Sequence, residues 1–206
     1  MAAPPTTLSP SDLVNKTLIV PNLQFMKRKV PTANKYRNRV AGEQVTEIIL
    51  HGTESIGTQM QSLDALATSG EPQSAHYWIG RDHGLLYSIV AEDKRANHAG
   101  NLVLQNGVWT ALKGVQSHNP NSIGIEMYQV DDKTQLNFTD WQYETVAMLV
   151  YDIRRRWGVT KDHVISHASV NYERGDPKSF DWDRFNRIVD RIAILASLLG
   201  SDYVLK

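Results

Sequence analysis

The sequence predicts an α/β domain of the mixed α+β kind, a central mixed β-sheet flanked by helices. Short β-branched runs alternate with longer segments whose apolar residues recur at helical spacing. Some runs are joined by turn residues close enough for a hairpin and others by helix-length crossovers, which makes the sheet mixed. The chain has 206 residues, 41% of them hydrophobic, enough for one core without disulfides or structural metal.

Residues 45–50 (VTEIIL) form an apolar run that stops at His51-Gly52-Thr53, as a buried strand does on meeting a turn, so His51 is expected at a strand end. Residues 55–70 carry Met60, Leu63, Leu66 and Ala67 at a spacing that suits a helix covering the sheet. The segment SAHYWIGRDHGLLYSIV predicts a hairpin, with strands at 75–79 and 85–90 and Asp82-His83-Gly84 in the turn. Residues 97–120 hold Gly, Asn and Pro without a steady period, and a long binding loop is expected there. Residues 121–130 (NSIGIEMYQV) return to strand character.

Thr139 opens the strongest helix, its hydroxyl capping free amides while Gln142 completes a capping box. Val146, Leu149, Val150, Ile153 and Trp157 form one apolar stripe, and Gly158 is placed to end the helix. Arg154, Arg155 and Arg156 fall in the last turn, where cations complement the helix dipole. Residues 164–166 form a short strand leading into His167. A final amphipathic helix starts at Asp181 or Trp182 and buries Phe185, Ile188, Val189, Ile192 and Leu195.

Residues 1–44 read as an N-terminal extension, its first twelve residues rich in Pro, Ser and Thr and loosely held; residues 45–200 read as a single domain without repeat or linker. The start, MAAPPTTLSPSDLVNK, has neither a basic leader nor an apolar stretch, so the product is expected to be cytoplasmic as synthesised. The longest apolar run, residues 192–199, is far short of the roughly 20 residues of a membrane helix, and no membrane insertion is expected. With 22 basic and 22 acidic side chains there is no general attraction to nucleic acid or an anionic bilayer. The absence of cysteine excludes disulfides, thiolate metal sites and a cysteine nucleophile, so any metal must be held by nitrogen and oxygen donors.

His51 and His167 both follow apolar strand runs, and strands ending on one sheet edge deliver their terminal side chains to one spot. Asp176 lies nine residues after His167, enough chain to fold a carboxylate back. Two imidazoles and a carboxylate leave a fourth position open, the composition of a catalytic zinc site; the alternative is histidines satisfied by local hydrogen bonds. Glu126 closes an apolar strand beside Gly124. If desolvated, it is suited to take a proton from water and return it to a leaving amine; otherwise it is an edge-strand glutamate in solvent. His98, in the long loop, either contacts substrate or lies at the surface, His83 and His163 are expected in solvent, and His76 and His118 are open.

Taken in order, EIILHGT, SAHYWIGRDHGLLYSIV, ANHAG, HNPNSIGIEM, FTDWQYETVAMLV and VISH followed by DPKSFDWDRF resemble the zinc-dependent type 2 N-acetylmuramoyl-L-alanine amidases. That family includes phage endolysins, cell-wall amidases and a cytosolic muropeptide-recycling amidase, with peptidoglycan-recognition proteins as relatives. The resemblance implies Zn2+ on His51, His167 and Asp176. It also implies Glu126 as acid/base, since Ala75 stands where other members have a tyrosine, and Arg174 in place of the family lysine that steadies the oxyanion. Asn97, His98 and His76 would contact substrate. The expected activity is cleavage of the amide between N-acetylmuramic acid and L-alanine by a monomeric endolysin without a separate wall-binding domain, which would reach the wall of its host after synthesis. A cytosolic enzyme trimming soluble muropeptides, or a non-catalytic peptidoglycan-binding module, is the alternative.

Overall fold

The structure, a computed structural model, describes residue 23 and residues 26–55, 57–105, 108–130 and 137–199. Ten strands are described: β1 (Lys27–Arg28), β2 (Tyr36–Asn38), β3 (Glu47–Gly52), β4 (Tyr77–Ile79), β5 (Leu86–Ser88), β6 (Lys94–Ala96), β7 (Leu102–Gln105), β8 (Val108–Ala111), β9 (Ser122–Met127) and β10 (Val164–Ser166). Four α-helices are described: α1 (Gln59–Ala67), α2 (Asp140–Trp157), α3 (His167–Val170) and α4 (Trp182–Leu199). The main sheet runs β1-β5-β4-β9-β3-β10, with only β4 and β5 antiparallel, so it is mixed as its connections require. None of the described helices is long and apolar enough to cross a membrane.

Alternation along β3 and β9 sorts side chains onto two faces. Ile48, Leu50, Ile123, Ile125 and Met127 pack with Val146, Leu149, Val150 and Ile153 of α2 and Phe185, Val189 and Ile192 of α4. The opposite face is smaller: Trp78 packs with Leu63 and Ala67 of α1 and with Ile89, Val90 and Tyr128. His51, Gly124 and Glu126 alternate with the apolar set, which leaves a polar strip beside α1. β3 continues through Gly52, so His51 lies inside the strand rather than after it.

The helix ends are set locally. Thr139 and Gln142 form the predicted capping box, and Gly158 closes α2 with φ 72°, a left-handed conformation that favours glycine. Thr58 and Gln61 form a second box on α1, and the Asp181 carboxylate accepts from the Arg184 N–H at the start of α4. Two stripe positions depart from expectation because they lie in terminal turns beyond the sheet: Met60 is exposed, and Trp157 is 38% exposed with its Nε1 donating to Glu92.

The long loop expected over 97–120 is corrected. β7 and β8 pair antiparallel within it, and a 3-10 turn spans Asn119–Asn121. The described part of the N-terminal extension is woven into the fold. β1 pairs with β5 and β2 with β6, and Lys35, fully buried, donates through Nζ to the Ala65 and Gln73 carbonyls and the Ser69 hydroxyl. The loosely held segment expected over residues 1–12 lies outside the described residues.

Candidate active site

Three elements converge on one buried cluster. β3 supplies His51, Ser166 caps α3 so that His167 is its first residue, and the loop after α3 returns Asp176, whose carbonyl accepts from the Ala168 N–H at 3.0 Å. His51, His167 and Asp176 are 1%, 7% and 5% exposed. His51 Nδ1 is 3.3 Å from Asp176 Oδ2 and His167 Nδ1 is 3.1 Å from Asp176 Oδ1. One ligand atom from each residue lies within 4.8 Å of the others.

The donor set fits a metal ion of the zinc type. Two imidazole nitrogens and one carboxylate oxygen are mutually close and sheltered, and three protein donors leave a position open. Burial, helped by neighbouring His167, lowers His51 to about 4, so it is a neutral imidazole at neutral pH, the form a metal ion requires. Burial alone would raise Asp176, but the two imidazoles against it, His167 first and then His51, outweigh that and hold the carboxylate ionised far below its ordinary range.

Glu126 stands beside this cluster because β9 is the parallel neighbour of β3 with Glu126 in register with His51. Its Oε2 is shut off from solvent and has no hydrogen-bond partner among the described residues. Burial first, then the Asp176 charge, pushes its pKa up to about 8, while Arg174 pulls the other way. The expected solvent-facing alternative does not describe this glutamate. Arg174 is exposed on the loop between His167 and Asp176, its backbone held by the Asn171 carbonyl, and no ion pair of its guanidinium is found among the described residues.

Two adjoining cavities, of about 400 and 240 Å3, share Asn97, His98, His167 and Arg174 in their walls. Glu126 and the cluster line the smaller one. Asn97 is anchored by its Nδ2 to the Pro72 carbonyl at 3.0 Å. His98 is only 9% exposed, and both ring nitrogens are engaged inside the protein. His76 is corrected as a substrate contact. It is fully buried, with Nδ1 accepting from the Gly124 N–H and Nε2 facing the Lys94 carbonyl, and it lines neither cavity. His118 pairs with Glu47, and His83 and His163 are exposed.

Sequence reasoning missed Arg37 and Arg95, which line the larger cavity and sit directly opposite each other on β2 and β6. Like charges in that position repel. Their juxtaposition depends on a pairing of two three-residue strands, for which the sequence carries no periodic signal. Asn119 and Ser122 were also missed, although both belong to the HNPNSIGIEM segment.

Residues 41–179 match the sequence profile of the family described as N-acetylmuramoyl-L-alanine amidase (Amidase_2). A search of curated proteins finds no match. The fold is similar to that of AmpD, solved as a selenomethionine derivative, with TM-score 0.61 and 29% identity over 80% of this chain and 94% of that one. It is similar to AmpDH3 from Pseudomonas aeruginosa in complex with anhydromuramic pentapeptide, with TM-score 0.56 and 24% identity over 76% of this chain and 64% of that one. A mutant endolysin from Bacillus subtilis gives TM-score 0.57 and 17% identity over 80% of this chain and 97% of that one. The matched range takes in both the His51 strand and the Asp176 loop, and the chain belongs to the N-acetylmuramoyl-L-alanine amidase family.

Proposed function

We propose that this amidase holds zinc on His51, His167 and Asp176 and uses Glu126 as its acid/base to split the amide between N-acetylmuramic acid and L-alanine in peptidoglycan. The observation that carries the reading is a buried His-His-Asp cluster beside an unpartnered glutamate oxygen in the same cleft. Bound there, zinc would supply Lewis-acid polarisation of the scissile carbonyl and acidify an attacking water.

The chain's own residues do the rest. Glu126 receives the proton of the attacking water and delivers it to the departing L-alanine nitrogen, so that one amide and one water become a carboxylate and an amine. A carboxyl pushed up to about 8 holds and releases a proton near neutral pH. Arg174 offers its guanidinium to the charge that develops on the carbonyl oxygen, as a broader planar donor than lysine. Arg37 and Arg95 take carboxylates of the stem peptide in the larger cavity, and Asn97 orients the peptide between the two cavities.

The role we assign is wall degradation of the endolysin type, by a chain that acts as a monomer and is cytoplasmic until it gains access to the wall. A second reading, trimming of soluble muropeptides, is favoured by the anhydromuramic pentapeptide that AmpDH3 holds on the same fold. The test is parallel digestion of intact sacculi and soluble anhydromuropeptides, following new L-alanine amino groups with and without a chelator. The endolysin reading expects release from sacculi that stops on chelation and resumes with zinc. Release from soluble fragments alone selects the second reading, and release from neither overturns both.

A further inference from the structure

His51 turns one nitrogen to the cluster and the other to a second histidine. Its Nε2 is 3.0 Å from His98 Nδ1; His98 Nε2 is 3.1 Å from Ser122 Oγ; and that hydroxyl is 2.7 Å from the His118 carbonyl oxygen. His51, His98 and Ser122 are all buried.

We infer that His98 and Ser122 are positioning residues that hold His51 in the tautomer with its proton on Nε2 and its Nδ1 lone pair toward the cluster. The inference rests on the metal reading above and adds the device that prepares the ligand. A carbonyl oxygen only accepts, so the Ser122 O–H donates to His118 and its oxygen is left to accept from His98 Nε2–H. A neutral imidazole has one N–H, so His98 Nδ1 must accept, and His51 Nε2 must donate to it. Reversing the chain would leave the Ser122 and His118 oxygens 2.7 Å apart with no proton between them. In the forward direction the Nδ1 lone pair meets the Asp176 carboxylate at 3.3 Å, two acceptors that a cation between them reconciles.

The surroundings fix each member of the chain. The Asn119 side-chain oxygen accepts from the backbone N–H of both His98 and Ala99, at 3.0 and 2.7 Å. Arg39 clamps the other end through the carbonyls of Asn119, Pro120 and Ser122. A Cβ on Gly124 would lie 2.3 Å from His98 Cγ, so glycine there makes room for the ring against β9. With both nitrogens committed, His98 has no hydrogen bond left for a substrate, and its effect on catalysis runs through His51.

The test combines histidine nitrogen NMR of the metal-free chain with zinc affinity measured by competition against a chromophoric chelator. The variants are Ser122→Ala, His98→Phe and His98→Asn, whose side-chain oxygen stands in for Nδ1. The parental chain should show His51 protonated on Nε2. Ser122→Ala and His98→Phe should bind zinc about 10-fold or more weakly, the range for partners of metal-ligating histidines, with His98→Asn recovering part of the loss. A parental His51 protonated on Nδ1 overturns the inference, as does parental zinc affinity in both Ser122→Ala and His98→Phe. Failure of the parental chain to bind zinc overturns the metal reading, and the NMR spectrum then decides the positioning role alone.

Discussion

At the scale of single residues, Glu126 carries the sharpest expectations. Glu126→Gln should keep the zinc ligands intact and lower kcat by roughly 10²- to 10⁴-fold, the usual worth of a positioned acid/base. A general base works only when ionised, so kcat/KM should climb with pH as Glu126 loses its proton. Burial places that rise toward about 8, and a bound cation draws it lower. A pH-rate profile in which Glu126→Gln keeps the same rising limb contradicts the assignment. Glu92 has the opposite sign. Burial would raise it, but hydrogen bonds from Arg156, Trp157 and Tyr77 hold it below its ordinary range. Its contribution is therefore present above the unfolded pKa of about 4.3 and is lost as pH falls through the folded value. Glu92→Gln should lower Tm at neutral pH and flatten the acid limb of a stability profile. That His51, His167 and Asp176 come together was legible because two apolar runs lead into the histidines and a short loop returns the carboxylate, although His51 lies inside β3 rather than at its end; their assignment as metal ligands came only from the family resemblance. His98 was not, because its partners His51 and Ser122 lie 47 and 24 residues away along the chain and nothing local predicts their contact.

At the scale of elements, β9 shows how one strand serves both core and site. Ile123 and Ile125 face the helices, Glu126 faces the cleft from the other side, and Gly124 between them is small because His98 lies on it. Gly124→Ala should cost about 1–3 kcal/mol, the range for overpacking, and should weaken zinc binding by displacing His98. Thermal melts and the chelator competition check both, and a variant unchanged in both shows that the ring has room to spare. Thr139→Ala should cost about 1 kcal/mol through loss of the α2 cap, read from denaturant midpoints. The caps of α2 were readable because they are set within four residues; the Thr58–Gln61 box of α1 follows the same local rule and was overlooked. The β7–β8 hairpin was overlooked although its strands flank Asn106-Gly107, a strong hairpin dipeptide whose own structure lies outside the described residues. β1 and β2 are two and three residues long, and only their pairing with β5 and β6 makes them strands.

At the scale of the whole molecule, a chain of zero formal net charge places Arg37, Arg95 and Arg174 on one cleft. In the proposed function, recognition of an anionic stem peptide would be local, and salt should weaken it because Arg37 and Arg174 are exposed and screened, whereas Arg95 is half-buried against Glu43. Replacing Arg37 and Arg95 together with glutamine should raise KM with kcat nearly unchanged, and an equal fall in kcat would place them in the chemical step instead. The fold class was legible from alternating element types, and the cleft was not, because the extension strand β2 builds one of its walls. In the proposed reaction a metal on His51, His167 and Asp176 and a proton on Glu126 act together. The most direct measurement is metal content by mass spectrometry, paired with L-alanine amine release from an anhydromuramyl peptide, for the parental chain, Asp176→Ala and Glu126→Gln. Stoichiometric zinc and turnover are expected in the parent, zinc without turnover in Glu126→Gln, and neither in Asp176→Ala. Turnover by metal-free parent, or parental turnover in Glu126→Gln, would contradict the proposed reaction.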